Sequence, residues 1–147
     1  MPYSLLYVSR TLLKFPAGNA EVENVIAASL VRNAGLDVTG ALISTPSYFA
    51  QVLEGPQPAI AELMRSIMRD PRHAEVKILT EGEVPARRFA SWSMAYSGYA
   101  TYVDDYIEPF LAHAPPAQAA RLSQRLIRLM LEFTRQEPGM KPGPSRL

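Results

Sequence analysis

Apolar and polar positions alternate in short runs along the first two thirds of the chain, and two longer stretches between those runs have a helical period. The alternation predicts β-strands at residues 3–10, about 35–44, 48–53, 75–82 and 92–96. Apolar residues three to four positions apart predict one helix from Asn19 to about Asn33. They predict a second helix from Pro58 to the DPRH stretch at 70–73. The predicted order is βαββαβ followed by one more strand.

This order predicts a ferredoxin-like α+β fold, with both helices on one face of the sheet and the first and third strands adjacent at its centre. The other face would be bare and apolar unless the rest of the chain covered it. Residues 102–112 are weakly helical and are broken by Pro109, whereas residues 117–136 form a strongly amphipathic helix. The apolar stripe of that helix consists of Leu122, Leu126, Leu129, Met130 and Phe133. We therefore expect C-terminal helices to cover the second face.

Composition is consistent with this division. We expect a sheet domain at 1–98, a helical cap at 99–137 and a disordered Pro/Gly tail at 138–147. The 147 residues are 48% hydrophobic and 20% charged with a net charge of +1, which is typical of a single soluble globular unit. The chain has no Lys/Arg cluster for nucleic acid or a membrane surface, and no 18-residue apolar run. A cytoplasmic protein that binds neither is expected.

Several kinds of chemistry are excluded or disfavoured by the residues present. The absence of cysteine excludes disulfides, cysteine-ligated zinc, iron–sulfur clusters and thiol catalysis. The two histidines, His73 and His113, are too far apart in sequence to predict a metal site. Arg10, Arg32 and Asn33 are residue types that ferredoxin-like acylphosphatases need, but TLLKFPAGN is not a glycine-rich phosphate cradle. With no nucleophile–base pair either, a hydrolase remains only an alternative.

Polar side chains occupy positions where a packed core would be apolar. The core stripe of the first helix reads Val22, Ile26, Ser29, Asn33, so its second half is polar. Gln51 lies in the middle of the apolar strand YFAQVLEGP, and burying its amide without partners would cost about 1–3 kcal/mol.

Each polar residue also has a purely structural explanation. Asn33 could cap the helix, Ser29 could bond back to the helix backbone, and Tyr7 and Gln51 could be satisfied by the main chain. If the faces of Tyr7 and Gln51 look toward the helices, however, all four groups converge on adjacent elements. Their convergence predicts a slot for a planar ligand with polar edges.

Five segments, in register with this order of elements, resemble the BLUF domain, a blue-light sensor that uses FAD, over about residues 3–97. They are LLYVSR (5–10), SLVRNAGLDVTGAL (29–42), FAQVLEGP (49–56), IMRDPRH (67–73) and FASWSMAY (89–96). With about fifty residues after the sheet, the chain resembles the short, stand-alone class. The resemblance implies a photoreceptor without enzymatic activity.

The resemblance also implies roles for individual residues around a flavin held between the two helices. Asn33 is similar to the amide that bonds the pyrimidine edge of the flavin, and Ser29 to a serine beside it. Tyr7 is similar to the electron donor, and Gln51 to the switching glutamine between that tyrosine and flavin N5/O4. The remaining implied contacts are Phe49 beside the ring, Trp92 and Met94 on the fifth strand, Arg72 and His73 after the second helix, and Arg65 or Arg69 as phosphate ligands.

The resemblance implies the flavin species, the signalling partner and the oligomeric state only in general terms. FMN or riboflavin could replace FAD, a signalling protein would receive the output, and the exposed part of the 117–136 helix could join two copies in a homo-oligomer. A BLUF-fold adaptor that no longer binds flavin is an alternative. The chain departs from the family pattern at Asp37, usually glycine, and at Ala50, usually bulky and apolar. We expect photochemistry to be retained with altered recovery kinetics.

Overall fold

The computed structural model describes residues 1–13, 19–99, 101–111 and 116–135, and within them it contains five strands and five helices. The strands are β1 (Tyr3–Thr11), β2 (Thr39–Ser44), β3 (Tyr48–Gly55), β4 (His73–Glu83) and β5 (Trp92–Ser97). The helices are α1 (Asn19–Gly35), α2 (Gln57–Arg69), α3 (Thr101–Asp104), α4 (Glu108–Leu111) and α5 (Pro116–Arg135). The predicted tail at 138–147, His113 and the side chain of Val22 lie outside the description.

The strands form one sheet in the order β4-β1-β3-β2-β5, so β1 and β3 are central neighbours as the sequence pattern predicted. Antiparallel pairing joins β1 to both β3 and β4, and β2 to β3, whereas β5 runs parallel to β2. The register of the central pair sets Tyr7 directly opposite Gln51. Two polar residues of the apolar strands are therefore cross-strand partners.

Each face of the sheet has its own core, which confirms the predicted α+β layering. On the near face, Leu5, Leu42 and Leu53 pack with Ile60 and Leu63 of α2. Alternate residues of the same strands point the other way, because successive side chains of a strand face opposite sides. The far-face core contains Leu6, Val8, Ala41, Ile43, Ala50 and Val52 with Val103, Ile107, Phe110, Leu126, Ile127 and Met130 of the C-terminal helices.

The turn entering β2 differs from the sequence prediction. β2 begins at Thr39 rather than near residue 35, because α1 continues to Gly35 and Asp37 adopts a φ of 60°. That left-handed conformation favours glycine, although aspartate tolerates it better than most residues. Asp37 thus keeps the turn in a conformation suited to glycine, and its carboxylate meets Arg87 at 3.1 Å.

Close backbone packing explains the glycine three residues after Asp37, Gly40. A Cβ on Gly40 would lie 1.9 Å from the carbonyl oxygen of Val52, so no side chain fits between β2 and β3. The far-face position of Ala50 is as predicted, and this residue is completely buried. These contacts hold β2 and β3 close beneath the helices and so fix the floor on which the candidate site lies.

Candidate functional site

A cleft of about 780 Å³, part of it open to solvent, lies between α1, α2 and the near face of the sheet. Seven residues singled out from the sequence line it: Tyr7, Ser29, Asn33, Phe49, Gln51, Arg72 and His73. They come from β1, α1, β3, the α2–β4 connection and the first residue of β4. The fold therefore brings together residues that are up to 66 positions apart, from Tyr7 to His73.

A chain of hydrogen bonds crosses the floor of this cleft. Gln51 Nε2 donates to the Tyr7 hydroxyl at 2.7 Å, and Trp92 Nε1 donates to Gln51 Oε1 at 2.9 Å. An indole N–H can only donate, so the amide oxygen must face Trp92 and the amide nitrogen must face Tyr7. The Tyr7 oxygen consequently accepts, and its own proton is not used in the bond to Gln51.

Tyr7 is held in its neutral form. Its side chain is 3% exposed, and burial raises the pKa of the phenol well above its usual range. The bond from Gln51 opposes that rise in pKa, Asp70 adds to it, and the positive charge of Arg32 opposes it more weakly. A proton therefore stays on Tyr7 at neutral pH unless the ring first loses an electron.

The polar stripe of α1 faces the cleft. Ser29 and Asn33 are 7% and 2% exposed, and Asn33 Oδ1 is buried without a hydrogen-bond partner among the described residues. The backbone carbonyl of Asn33 accepts from Val38 N–H at 2.8 Å, so the main chain has a partner while the side-chain oxygen does not. A buried acceptor without a donor is costly. It fits a ligand whose edge presents an N–H.

His73 and Asp70 form the wall at the end of α2. His73 Nε2 lies 2.7 Å from the carbonyl oxygen of Ile67, an acceptor only, so this nitrogen carries a proton. The other nitrogen lies 2.7 Å from Ser9 Oγ, and the ring meets Phe49 edge-on at 5.9 Å. Arg72 Nε donates to Asp70 at 2.8 Å and, as the main cause, lowers the pKa of that carboxyl. These bonds hold the side chains of His73, Asp70 and Arg72 in place at the end of α2.

Two groups of predicted residues lie elsewhere. Arg65 and Arg69 are exposed on α2 and are not among the residues that line the cleft. Met94 packs against the near-face core without lining the cleft, and Trp92 reaches the site through Gln51. The sequence interpretation named Arg32 only for the hydrolase alternative and missed its place in the cleft, which it lines. Its position three residues after Ser29 was a usable signal, since residues three apart are neighbours on a helix surface.

A buried carboxylate behind the cleft was also missed. Glu54 is 0% exposed and accepts from the backbone N–H groups of Arg88 and Phe89 at 2.7 and 3.2 Å. The Arg88 side chain adds a bond of 2.9 Å. Glu54 thus links the segment that leads into β5 to β3, the strand that carries Gln51. Trp92 is the first residue of β5.

The residues present fit a flavin. Its planar ring needs a narrow cleft with apolar sides, which Leu42, Phe49, Leu53 and Leu63 provide. Its polar edge carries both an N–H donor and carbonyl acceptors, and these match the orphan Asn33 Oδ1 and the amide of Gln51. Within the described ranges, no three His, Asp or Glu residues are placed to hold a metal ion. Nor is any described helix long and apolar enough to cross a bilayer.

Comparison with known proteins agrees with this reading. The family model "BLUF: Sensors of blue-light using FAD" matches residues 3–95. The chain is 38% identical over 74 residues to the blue light- and temperature-regulated antirepressor BluF of Escherichia coli K12, covering 50% of this chain and 18% of that protein. It is 29% identical over 116 residues to the photoactivated adenylate cyclase subunit beta of Euglena longa, covering 78% of this chain and 12% of that one.

A solved structure matches over nearly its full length. The dark-state structure of the BLUF protein BlrB superposes with a TM-score of 0.67 at 32% identity, covering 93% of this chain and 97% of that one. The chain spans less than a fifth of the two curated relatives, so only their light-sensing region is compared. The family match, the fold and the Tyr7–Gln51 bond agree. The chain belongs to the BLUF family of blue-light sensors that use flavin.

Proposed function

We propose that the chain binds FAD non-covalently in the cleft between α1 and α2 and converts blue light into a rearrangement of the Tyr7–Gln51–Trp92 hydrogen bonds. The observation that carries the proposal is the buried chain of bonds beside an orphan acceptor, Asn33 Oδ1. The lack of cysteine is consistent with non-covalent binding. FMN or riboflavin would occupy the same ring site.

Each side chain of the cleft has a holding role in this proposal. Asn33 accepts from the polar edge of the ring, with Ser29 beside it, and both are buried enough to exclude competing water. Phe49 and His73 close one side of the slot through their edge-to-face contact. Arg72 stays paired with Asp70 and shapes the wall. Contacts from Arg65 to the cofactor remain a prediction, since that residue is exposed and lies outside the lining.

Tyr7 and Gln51 respond to light. When bound, the flavin supplies blue-light absorption and a strongly oxidising excited state. The Tyr7 phenol can give up an electron and then its hydroxyl proton, which the bond from Gln51 leaves unused. Because burial disfavours a charged phenolate, loss of the proton alone is not accessible at neutral pH.

A half-turn of the Gln51 amide is the rearrangement that the geometry favours. It would bring Oε1 to the Tyr7 hydroxyl, which can donate to it, and Nε2 to the indole N–H of Trp92. Two donors would then face each other, so the 2.9 Å bond to Trp92 would be lost while the bond to Tyr7 persisted in reverse. Trp92 and the neighbouring Met94 on β5 would be released to move.

The output in this proposal is a protein contact, not catalysis by this chain. Relatives named for an antirepressor and for a photoactivated adenylate cyclase support a signal passed to a partner. We propose a separate signalling protein as that partner, with the cap formed by α3, α4 and α5 as the transmitting surface. A homo-oligomer through α5 and a cytoplasmic location remain predictions.

Absorption spectroscopy tests the proposal. Purified chain should carry a flavin, and blue light should shift the flavin band reversibly to longer wavelength. Gln51→Leu should still bind flavin but lose the shift, because leucine fills the space without an amide. Colourless protein that FAD cannot reconstitute would support the adaptor alternative. A normal shift in Gln51→Leu would contradict the role given to Gln51.

A further inference from the structure

The rim of the cleft carries a positive charge that nothing in the described part of the chain neutralises. Arg32 lines the cleft and is exposed, and no carboxylate of the described residues lies within ion-pair distance of it. Its polar contact is with Ser66 Oγ of α2, at 3.5 Å. A hydrogen bond of that length is weak, so the guanidinium can exchange it for a stronger acceptor.

The other guanidinium of the cleft is differently placed. Arg72 holds both carboxylate oxygens of Asp70 through its Nε atom, at 2.8 and 3.1 Å. Its charge is therefore compensated locally, and its orientation is fixed by the α2–β4 turn. An anionic group entering the cleft would meet the uncompensated charge of Arg32 instead.

Arg32 and Asn33 divide the wall of the cleft between an inner and an outer part. Asn33 is 2% exposed, while the preceding residue, Arg32, is exposed at the mouth. An uncharged ring edge suits the buried part, but a phosphate cannot be buried without a large desolvation cost. A ligand with a polar ring and a phosphate on a flexible chain would thus place the phosphate at the rim.

We propose that Arg32, with the Ser66 hydroxyl beside it, binds the first phosphate of a phosphorylated flavin and makes the cleft select FMN and FAD over riboflavin. This inference rests on the proposed function, that the cleft binds a flavin. A guanidinium offers paired donors that match phosphate oxygens, and charge-assisted bonds of this kind are about twice as strong as neutral ones. We thereby assign the phosphate to Arg32 of α1 rather than to the exposed Arg65 and Arg69 of α2.

Titration of flavin-free, full-length chain with riboflavin and with FMN tests the proposal, because the two ligands differ only by the phosphate. The measured quantity is the ratio of the two dissociation constants from quenching of flavin fluorescence. Wild type should favour FMN by about tenfold or more, as one charge-assisted bond implies. Arg32→Gln should bring the ratio to about one while riboflavin affinity stays within about twofold, and Arg32→Lys should retain part of the preference.

Arg128→Gln is the matched control, since it removes one arginine charge from an exposed position of α5, which packs on the far face of the sheet and does not line the cleft. Its ratio should equal that of wild type, and raising the salt concentration should weaken FMN binding in wild type but not in Arg32→Gln. An unchanged ratio in Arg32→Gln, or an equal loss of the preference in Arg128→Gln, would overturn the proposal. Equal loss of riboflavin and FMN in Arg32→Gln would assign the residue to the ring or the fold. Wild type that binds neither flavin would overturn the proposed function itself.

Discussion

Gln51 is the residue whose surroundings decide what the site can do. The residue is 7% exposed, and each end of its amide has a partner, the Tyr7 hydroxyl and the Trp92 indole. Because the indole can only donate, one orientation of the amide satisfies both partners and the flipped one does not. A buried amide with two alternative arrangements of unequal energy has the properties of a switch.

Removing the indole donor should show how much the bond from Trp92 to Gln51 contributes to stability. Trp92→Phe keeps an aromatic ring in the near-face core but leaves Gln51 Oε1 without its 2.9 Å donor. The free energy of unfolding should fall by about 1–3 kcal/mol in urea titrations. In a cycle with Gln51→Leu the two losses should be non-additive by at least about 0.5 kcal/mol. Strictly additive losses would mean that the two side chains stabilise the fold independently.

The buried phenol of Tyr7 makes stability depend on alkaline pH. Its folded-state pKa lies above the unfolded value near 10 because of burial. Above about pH 10 the unfolded chain loses this proton while the folded chain keeps it, so the free energy of unfolding should fall by up to about 1.4 kcal/mol per pH unit.

Tyr7→Phe removes that titration and should flatten the fall between about pH 10 and 11.5 relative to wild type in urea titrations. Tyr102→Phe is the control, since Tyr102 is 51% exposed on the helical cap. An equal flattening in both variants would mean that the alkaline loss does not originate at the buried phenol.

At the scale of elements, the segment before β5 is fastened to the end of β3 and the start of β2. Glu54 accepts the backbone N–H groups of Arg88 and Phe89, and Arg87 donates to the carbonyls of Glu54 and Asp37 at 3.2 and 3.0 Å. The strand that carries Gln51 therefore also anchors the segment that delivers Trp92. Gln51 and Glu54 lie three residues apart on β3.

Glu54→Gln should loosen this anchor without affecting the cleft, which Glu54 does not line. The glutamine carbonyl can take the place of Oε1, which accepts from both backbone N–H groups, but the NH₂ group then replaces Oε2 and cannot accept from Arg88 Nε, so the ionic bond is lost and two donors face each other. The free energy of unfolding should fall by about 1–3 kcal/mol, and amides of residues 88–92 should exchange hydrogen faster.

The matched control is Glu75→Gln, which breaks an ion pair with Arg10 in which both side chains are largely exposed. That loss should stay below about 1 kcal/mol. If Glu54→Gln cost no more than Glu75→Gln, burial of the carboxylate would not be what strengthens the anchor.

The elements also indicate which features local sequence could predict. Periodicity predicted the order of elements along the chain and the two-sided packing, because alternation determines which face each side chain takes, and the βαββαβ order in turn implied that β1 and β3 are central neighbours. Gln51 and Asn33 were predictable as anomalies within apolar patterns. Glu54 was not, because its partners are 34 residues away and a charged residue at a strand end is usually exposed. The exact start of β2 did not follow from periodicity, because alternation does not show that Asp37 adopts a left-handed conformation.

At the scale of the whole molecule, the sheet separates the cleft from the helical cap, and one short segment belongs to both sides. Trp92 lies in the near-face core, and Phe89, three residues earlier, lies in the far-face core with Leu126 and Met130 of α5. A displacement of Trp92 would therefore move a backbone that also holds Phe89. This segment physically connects the Tyr7–Gln51–Trp92 hydrogen bonds with the C-terminal helix.

Phe89→Ala should break that connection while leaving the photochemistry intact. In wild type, illumination should change hydrogen exchange both in β5 and in the turns of α5 that face the sheet. In Phe89→Ala the red shift and the change in β5 should persist, but the change in α5 should disappear, because no large side chain links the segment to the far-face core. The control is Leu131→Ala, which shortens a partly buried side chain of α5 and leaves Phe89 in place. An α5 response that survives in Phe89→Ala would mean that the signal crosses the sheet by another path, with β5 itself as the next candidate, since it packs directly against α5.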